Sequence, residues 1–449
     1  MPQKQHQAPQ HHAYPYRTLV ASFAAWKLFL FAIVLGSSLV GDAYDTSAGL
    51  LLQGRANGDA TGRPAGLGAT LIARLSSWDA IYYVTAARRG YLFEQEWAFG
   101  AGLPFVVRVL LRGLEQIGIV GARAADEGPV AEALAGILVA NTAHLLSALV
   151  LYRLGQVVWR DQTLSLVAAL LHVLSPAGLF LSGPYSESSF ALLSFSGYLL
   201  FALGCRAEHS PTRRDLCTVA AGVLFGVATA FRSNGILNGA PFAWEVLRHL
   251  PALARQPTDT LRRLVALGVG GVAVAAGSLG PQTAAYLQFC ASSGASGAGL
   301  PRPWCQGYLP SIFTFVQRHY WNVGFLRYWT LPNLPLFLLA APMLVILVKS
   351  GVDPLSGRLL PGAAKPAESG RLSALIQSTA AAQVLLAVLA LTTYHVQIIT
   401  RISSGYPLWH WWLAGLLFRG DKTGSRILMF MVIYASIQGA LFASFLPPA

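Results

Sequence analysis

The sequence predicts an all-α polytopic membrane protein, a helical bundle of about ten or eleven membrane segments. Of its 449 residues, 54% are hydrophobic and 11% are charged, whereas soluble domains carry about 25% charged residues. Apolar runs of about 20 residues recur along nearly the whole chain, and each is long enough to cross a hydrocarbon core of roughly 30 Å. Helices are the expected form of these runs because a helix satisfies its own backbone polar groups in lipid.

Hydropathy places the apolar segments in the following order along the chain. They lie at about 19–41, 131–153, 163–183, 185–205, 215–238, 264–288, 330–349, 373–393, 405–418 and 427–446. A further stretch at about 101–121 contains Arg108, Arg112 and Glu115. It is a membrane span, a re-entrant piece or a helix lying in the interface. We expect residues 1–18 to form a cytosolic tail without a cleaved signal peptide, and 19–446 to form a single membrane domain.

The net charge of +13 does not indicate nucleic-acid binding, because the 32 Lys and Arg residues are scattered through short loops rather than gathered in one patch. Membrane topology explains them better. If 101–121 does not cross, the cytosolic loops are 153–163, 206–214, 349–371 and 419–426. The basic loop 248–263 joins them only if the chain turns back at "FRSNG", residues 231–235. The long loops 42–100 and 290–328 then face the other compartment, where Cys290 and Cys305 could form a disulfide if it is oxidising.

Polar groups near membrane depth are costly, and each cluster of them is therefore a candidate functional site. The first cluster holds Trp78 and Asp79 with Tyr82 and Tyr83, and Glu94 follows in the same loop. Asp79 is either a catalytic carboxylate beside aromatic rings or a helix cap at "SSWD". The sequence leaves both interpretations open.

Two further clusters lie at breaks between apolar segments. In "SGPYSESSF", Ser186 is placed to cap the next helix and Glu187 to lie in its first turn, so capping is the default interpretation. "FRSNGILNG" places Arg232 and Asn234 inside a hydrophobic stretch. A simple loop does not need a buried arginine, which favours ligand or partner binding.

The last clusters are near the C-terminal half of the chain. The stretch 301–329 contains Trp321, Asn322 and Arg327, and its arginines suit a phosphorylated lipid. The alternative is an amphipathic interfacial helix that binds bulk anionic lipid. In "TYHVQIITRISSGYP", His395, Ile398 and Arg401 are spaced to share one helical face, with Gln397 beside them.

Several motifs of other chemistries are absent from the sequence. It contains no Walker-type Gly-Lys-Ser loop, no H-E-x-x-H, no G-x-S-x-G and no Cys/His pattern of zinc spacing, so energy-coupled transport and metal-dependent hydrolysis have little support. No metal and no cofactor are expected. A lipid transporter or channel stays open as a non-enzyme alternative.

Four strings occur in order between about residue 70 and the C-terminus: "WDAIYY", "FRSNGILN", "YWNVGFLRYW" and "HVQIITRISSG". By these strings the chain resembles the GPI mannosyltransferase 2 (PIG-V) family. The resemblance implies a GT-C type glycosyltransferase of the endoplasmic reticulum membrane with a lumenal active site. Such an enzyme uses dolichyl-phosphate mannose to add the second mannose, in α1,6 linkage, to the GPI-anchor precursor. The chain departs from the family at "AFGAGLP", residues 98–104, where the family usually reads "AFFP".

The resemblance also assigns the catalytic carboxylate, because the family's Trp-Asp pair maps onto Trp78 and Asp79. Dolichyl phosphate is already a competent leaving group, so one base suffices, and Asp79 would deprotonate the attacking 6-hydroxyl with inversion. The candidates for holding the donor phosphate are Arg232, Arg302, Arg318, Arg327 and Arg401. The predicted substrate-binding residues are Trp78, Glu94, Glu187, Arg232, Asn234, Trp321, Asn322, Arg327, His395, Gln397 and Arg401. The expected partners are the two lipid substrates and the membrane, and a small accessory membrane subunit is possible. Another polyprenyl-phosphate-sugar glycosyltransferase remains an alternative.

Overall fold

The structure is a computed structural model that describes residues 14–53, 66–121, 128–207, 209–291, 302–358 and 370–446. Every regular element in these ranges is helical, which confirms the predicted all-α class. Most of the expected N-terminal tail lies outside the described residues. The α-helices are α1 (Pro15–Val40), α2 (Ser47–Gln53), α3 (Leu67–Leu75), α4 (Ala80–Arg89), α5 (Gly102–Gln116), α6 (Val130–Trp159), α7 (Gln162–Val173), α8 (Glu187–Arg206), α9 (Pro211–Phe231), α10 (Ala240–His249), α11 (Pro257–Tyr286), α12 (Ile312–His319), α13 (Leu334–Leu355), α14 (Gly370–Thr392), α15 (Ile399–Ile402), α16 (Leu408–Phe418) and α17 (Lys422–Ala443).

Eight helices of the described residues are long and apolar enough to cross a membrane. They are α1, α6, α8, α9, α11, α13, α14 and α17. The predicted segments 163–183 and 405–418 contain the shorter apolar helices α7 and α16. After α7 the chain continues through a 3₁₀ turn at Gly178–Leu181, whose residues are buried. A break in the α-helical backbone is tolerated there because protein surrounds these buried residues.

The stretch 101–121 does not cross the bundle. Helices α1 and α6 run antiparallel, since the ring of Tyr16 packs 5.3 Å from that of Tyr152 and Phe23 packs 5.4 Å from His144. The end of α1 and the start of α6 therefore lie at the same end of the bundle, so a single crossing between them is excluded. Helix α5 has 15 residues, about 22 Å of helix. Its length and position favour the interpretation as a helix lying in the interface.

The chain turns back at "FRSNG", as the basic loop 248–263 required. Helix α9 ends at Phe231, a 3₁₀ segment spans Ser233–Gly239, and α10 returns. The return is visible in one ion-pair cluster, where Arg263 lies 3.4 Å from Asp215 near the start of α9 and 3.7 Å from Glu245 in α10. The loop 248–263 therefore lies at the same end as the start of α9. We call this end, which also carries Arg160 and Arg419, the basic end.

The opposite end carries the two long loops, and they are joined to each other. Cys290 and Cys305 form a disulfide with a Cα–Cα distance of 5.7 Å, which confirms the pairing that the sequence allowed. Glu94 accepts a hydrogen bond from Trp304 Nε1 at 2.7 Å and lies 2.6 Å from Arg302 Nη1. Glu94 thereby fixes the loop after α4 to the segment that leads into α12.

Candidate active site

A cavity of about 540 Å³ lies at the end of the bundle opposite the basic end. Four stretches of polar and aromatic residues that are far apart in sequence meet around it, together with side chains from the 3₁₀ turn and from α13. Its lining residues are Trp78, Asp79, Tyr82, Tyr83, Ala98, Phe99, Gly100, Phe180, Phe231, Arg232, Ser233, Asn234, Phe313, Gln317, Trp321, Leu336, Tyr394, His395, Gln397, Ile398, Arg401 and Ile402.

The Asp79 carboxylate faces this cavity. Asp79 occupies the N-cap position of α4, but its side chain makes no capping hydrogen bond, so the helix-cap interpretation is wrong. One carboxylate oxygen instead accepts a hydrogen bond from Arg401 Nη1 at 3.0 Å, and 38% of the side chain stays exposed. The carboxylate is therefore oriented by an arginine and still open to a ligand.

The residue before Asp79 sets this orientation. Trp78 has a left-handed backbone with φ of 61°, which is unfavourable for a large side chain. Its ring is stacked on Phe445 with centroids 4.8 Å apart, and Tyr185 donates a hydrogen bond to the carbonyl of Ser77 at 2.7 Å. These contacts hold a turn that packs the tryptophan on the bundle and leaves the aspartate in the cavity.

Two arginines on the cavity wall converge on one buried carboxylate. Arg232 is the C-cap residue of α9, and its Nη1 lies 2.7 Å from Glu187 Oε1. Arg401 Nε donates to the same oxygen at 2.8 Å. The Glu187 side chain is fully buried. Ser186 stands at the N-cap of α8 but makes no capping hydrogen bond, so the predicted cap is absent and the main contacts of Glu187 are ionic.

Arg401 is the centre of this charge network. Its guanidinium carbon lies 3.9 Å from the ring centroid of Phe180, a cation–π contact. Burial would by itself lower the pKa of Arg401, but the carboxylates of Glu187 and Asp79 outweigh it and raise the pKa above its ordinary value. Arg401 therefore stays charged and is divided between the two carboxylates.

Aromatic rings form another part of the cavity wall. Tyr82 stacks on Phe99 with centroids 4.5 Å apart, Phe99 meets Trp321 edge-on at 5.8 Å, and Trp321 meets His395 at 6.1 Å. Burial lowers the pKa of His395, although the nearby Asp79 opposes the shift. His395 is therefore neutral at neutral pH, and the cationic groups on the wall are the two arginines.

The chain matches the family Mannosyltransferase (PIG-V) over residues 27–449. It belongs to this family. Among its relatives, the GPI mannosyltransferase 2 of Chaetomium globosum is 81% identical, with 99% of both chains covered. That of Gibberella zeae is 44% identical over 97% of this chain and 98% of the relative. That of Schizosaccharomyces pombe is 30% identical over 85% of this chain and 74% of the relative.

Among solved structures, the chain is similar to an oligosaccharyltransferase of Archaeoglobus fulgidus, tethered to an acceptor peptide, with a TM-score of 0.42 and 13% identity. The alignment covers 94% of this chain and 55% of the archaeal one, so the mannosyltransferase spans about half the length of that protein. An Archaeoglobus structure with an inhibitory peptide and a dolichol-phosphate gives a TM-score of 0.40.

The structure brings most of the predicted site residues of this mannosyltransferase together. Those that line the cavity are Trp78, Asp79, Arg232, Asn234, Trp321, His395, Gln397 and Arg401. Glu187 lies behind the wall and contacts both arginines. The predicted proximity of His395, Ile398 and Arg401 is also present, since all of them face the cavity.

Besides Glu187, three further predicted substrate-binding residues lie outside the cavity lining. Glu94 joins the two long loops, as described above. Asn322 and Arg327 are exposed, on the turn that follows α12. Of the five arginines considered for the donor phosphate, Arg302 pairs with Glu94 and Arg318 is exposed, which leaves Arg232 and Arg401 on the cavity wall.

The structure also adds lining residues that sequence reasoning missed, among them Phe313 and Gln317. Their i, i+4 spacing in α12 is the available signal, because residues so spaced share one helix face. The structure explains the glycines in "AFGAGLP", the string at which the chain departs from the family. A Cβ at Gly100 would collide with the carbonyl of Phe231, and one at Gly102 with the Phe231 ring. The glycines thus allow this loop to pack against the end of α9, beside Arg232.

Proposed function

We propose that the protein transfers mannose from dolichyl-phosphate mannose to the GPI-anchor precursor, adding the second mannose in α1,6 linkage. It does so as a GT-C type enzyme whose cavity opens to the lumen of the endoplasmic reticulum. The observation that carries the proposal is one cavity in which a partly exposed carboxylate, Asp79, lies beside two arginines, Arg232 and Arg401. The names of the relatives support the acceptor, and the resemblance supports the donor and the linkage.

In the proposed reaction, Asp79 is the general base. Its carboxylate takes the proton from the 6-hydroxyl of the acceptor mannose as that oxygen attacks C1 of the donor mannose. The bond from C1 to the phosphate oxygen breaks, and its electron pair stays on the phosphate. The products are the α-linked mannoside and dolichyl phosphate, and Asp79 carries the proton. Attack from the face opposite the phosphate inverts the β-linked donor.

The arginines stabilise the leaving phosphate. As the C1–O bond breaks, negative charge grows on the phosphate oxygens, and fixed donors in a site with little water stabilise that charge strongly. Arg232 and Arg401 supply such donors because Glu187 fixes both guanidinium groups. The guanidinium fork also matches phosphate geometry better than an ammonium group does.

The rest of the cavity suits the other parts of the two substrates. The stacked rings of Tyr82 and Phe99 with Trp321 provide flat surfaces for sugar rings. Phe180, Leu336 and Ile402 give an apolar wall for the first isoprene units of the dolichyl chain. No protonating acid is required beside the phosphate, because a phosphate monoester leaves without one.

The decisive experiment incubates purified protein with dolichyl-phosphate mannose and the monomannosylated GPI precursor. The dimannosylated product with an α1,6 bond is expected. Because the described residues contain no cluster of three potential metal ligands, we also predict that transfer persists in EDTA. A strict requirement for Mn²⁺ or Mg²⁺ would contradict this second expectation.

The alternatives give other outcomes in the same assay. A different polyprenyl-phosphate-sugar transferase would consume the donor only with another acceptor. A lipid transporter or channel would form no new glycosidic bond. One observation argues against a transporter or channel, which needs a polar path across the membrane. The charged network described here lies at one end of the bundle and does not follow its length. A small accessory subunit would show as activity that appears only when a second membrane protein is co-purified.

A further inference from the structure

Glu187 is buried beyond what a simple ion pair requires. Its side chain is fully buried, and Oε1 is shared between Arg232 and Arg401. Its second oxygen, Oε2, is buried and has no hydrogen-bond partner among the described residues. An unsatisfied buried carboxylate oxygen is costly. The arrangement is therefore poor as a device for stability alone, and its charge calls for a functional reason.

The charges around the cavity suggest that reason. Two guanidinium groups, of Arg232 and Arg401, face two carboxylates, of Asp79 and Glu187. His395 on the same wall is neutral, because burial lowers its pKa. Counted by formal charge, the two guanidinium groups and the two carboxylates leave the network with no net charge. A donor phosphate bound at Arg232 and Arg401 would therefore contact two cationic groups without a large positive potential around them.

The donor and the leaving lipid differ in charge. A phosphodiester such as dolichyl-phosphate mannose carries one negative charge, whereas a phosphomonoester carries about −1.5 to −2 near pH 7. The Coulomb energy of a ligand in a given potential is proportional to the ligand's charge. A strongly positive subsite would therefore hold the monoester product more tightly than the diester donor, and turnover would stop at product release.

We propose that Glu187 is a specificity-determining residue that neutralises half of this arginine pair, so that the site accepts a phosphodiester and releases a phosphomonoester. Glu187 acts through Arg232 and Arg401 and does not itself line the cavity, which makes it a positioning residue and not a catalytic one. The inference rests on the proposed function, since it assumes that the arginines hold the donor phosphate.

The test variant is Glu187→Gln, which keeps the size of the side chain and an oxygen for the arginines but removes the charge. If the added positive potential tightens donor binding about tenfold, it tightens binding of the dianionic product by about a hundredfold, because the energy scales with charge. The expected result is a lower Kd for dolichyl phosphate, a smaller lowering of the Kd for dolichyl-phosphate mannose, and a lower kcat limited by product release. If Glu187 has only a structural role, its replacement would instead weaken the binding of both ligands.

Glu132 provides a matched control. It lies in the first turn of another membrane helix, α6, its side chain is fully buried, and it pairs with Arg88 at 3.3 Å, but it is not part of the cavity wall. The experiment measures binding of dolichyl phosphate, and of dolichyl-phosphate mannose without acceptor, to the unchanged protein, Glu187→Gln and Glu132→Gln. Only Glu187→Gln is expected to change the ratio of the two dissociation constants.

The outcomes separate this inference from the proposed function. If the unchanged protein binds neither lipid, the proposed function falls and the inference with it. If it binds both and transfers mannose, but Glu187→Gln leaves the ratio unchanged, only the inference is overturned. Should Glu187→Gln fail to fold, the unchanged protein still tests the idea through product inhibition. Its inhibition constant for dolichyl phosphate is expected within about tenfold of the donor Kd, and inhibition more than about a hundredfold tighter would overturn the proposal.

Discussion

At the scale of the residue, Asp79 differs from its acidic neighbours in its exposure. Its side chain is 38% exposed, whereas the side chains of Glu96 and Glu187 are 4% and 0% exposed. The carboxylates of these neighbours are held in buried ion pairs. For Glu96 the partner is Arg89, at 2.6 Å. A carboxylate that is held by one arginine and open on its other side is placed to accept a proton from a bound substrate.

Replacing Asp79 by asparagine tests this role. Asp79→Asn keeps the shape and a hydrogen bond to Arg401 but removes the base, so transfer should fall by roughly 10²–10⁴-fold. The measurement is mannose transfer by purified protein at equal amounts. Asp161→Asn is the control, because Asp161 caps α7 through the Leu164 amide at 2.9 Å and asparagine caps equally well. Near-normal transfer by Asp79→Asn would exclude Asp79 as the base.

Two arginines of the same region should differ in their effect on donor use. Arg232→Gln removes a charged donor from the cavity wall. Hydrogen bonds to charged groups are worth about 1.5–3 kcal/mol, so the KM for dolichyl-phosphate mannose should rise about ten- to a hundredfold. Arg327→Gln should change it little, because Arg327 is exposed and away from the cavity lining. The measurement is the KM for dolichyl-phosphate mannose at saturating acceptor. A large effect of Arg327→Gln with no effect of Arg232→Gln would show that the donor phosphate binds near Arg327 and not at the cavity wall.

At the scale of the element, close packing of helices places the arginine wall. Helix α9 ends beside the cavity at Phe231, and α11 runs along it in the same direction. Glycines allow the approach, since a Cβ at Gly226 would collide with the carbonyl of Ala273 and one at Gly222 with Gly270. In membrane bundles such small residues let backbones approach closely. The packing of α9 on α11 therefore fixes where Arg232 emerges.

A glycine pair provides the test of this packing. Gly226→Ala should lower the unfolding temperature of the purified protein, because over-packing a tight interface costs about 1–3 kcal/mol. Gly268→Ala on α11 should be tolerated, since no atom lies within 4 Å of the position that the new methyl group would occupy. Thermal unfolding in one detergent compares the two variants. Equal unfolding temperatures would show that the α9–α11 contact is looser than the structure indicates.

At the scale of the whole molecule, the two ends of the bundle differ in charge and in the sites that they carry. One end gathers the basic loops, as the positive-inside rule predicts for the cytosol. The other holds the cavity, the disulfide between Cys290 and Cys305 and the Glu94 contacts that join the two long loops. A disulfide is stable in an oxidising compartment, which agrees with the proposal that the cavity faces the lumen.

Glycosylation-site insertion tests this orientation. An Asn-x-Ser sequence in a short flexible insert beside Tyr308, which is 99% exposed, should be glycosylated in cells. The same insert beside Gly420, in the loop between α16 and α17, should remain unmodified. The readout is a mobility shift that glycosidase treatment removes. Modification at Gly420 and not at Tyr308 would reverse the orientation of the whole bundle.

Much of the fold followed from local pattern. The apolar runs marked each membrane segment, and the "FRSNG" break was recognisable because glycine and polar residues interrupt an apolar stretch. The role of α5 could not be predicted in this way. Whether an amphipathic stretch with arginines crosses or lies flat depends on where its neighbours end, and here that is decided by the antiparallel packing of α1 on α6.

The sequence by itself determined the all-α membrane class and identified Asp79, Glu187, Arg232 and Arg401 as candidates, because apolar runs and polar interruptions within them are local properties of the chain. The tertiary structure alone decided which candidates meet. Arg401 is 322 residues from Asp79 and 214 residues from Glu187 along the chain, and only helix packing brings such distant groups within hydrogen-bond range. Packing also placed Arg327 away from the cavity wall. The sequence could not show this, because nothing in the local sequence of Arg327 distinguishes it from Arg232 and Arg401, which line the cavity.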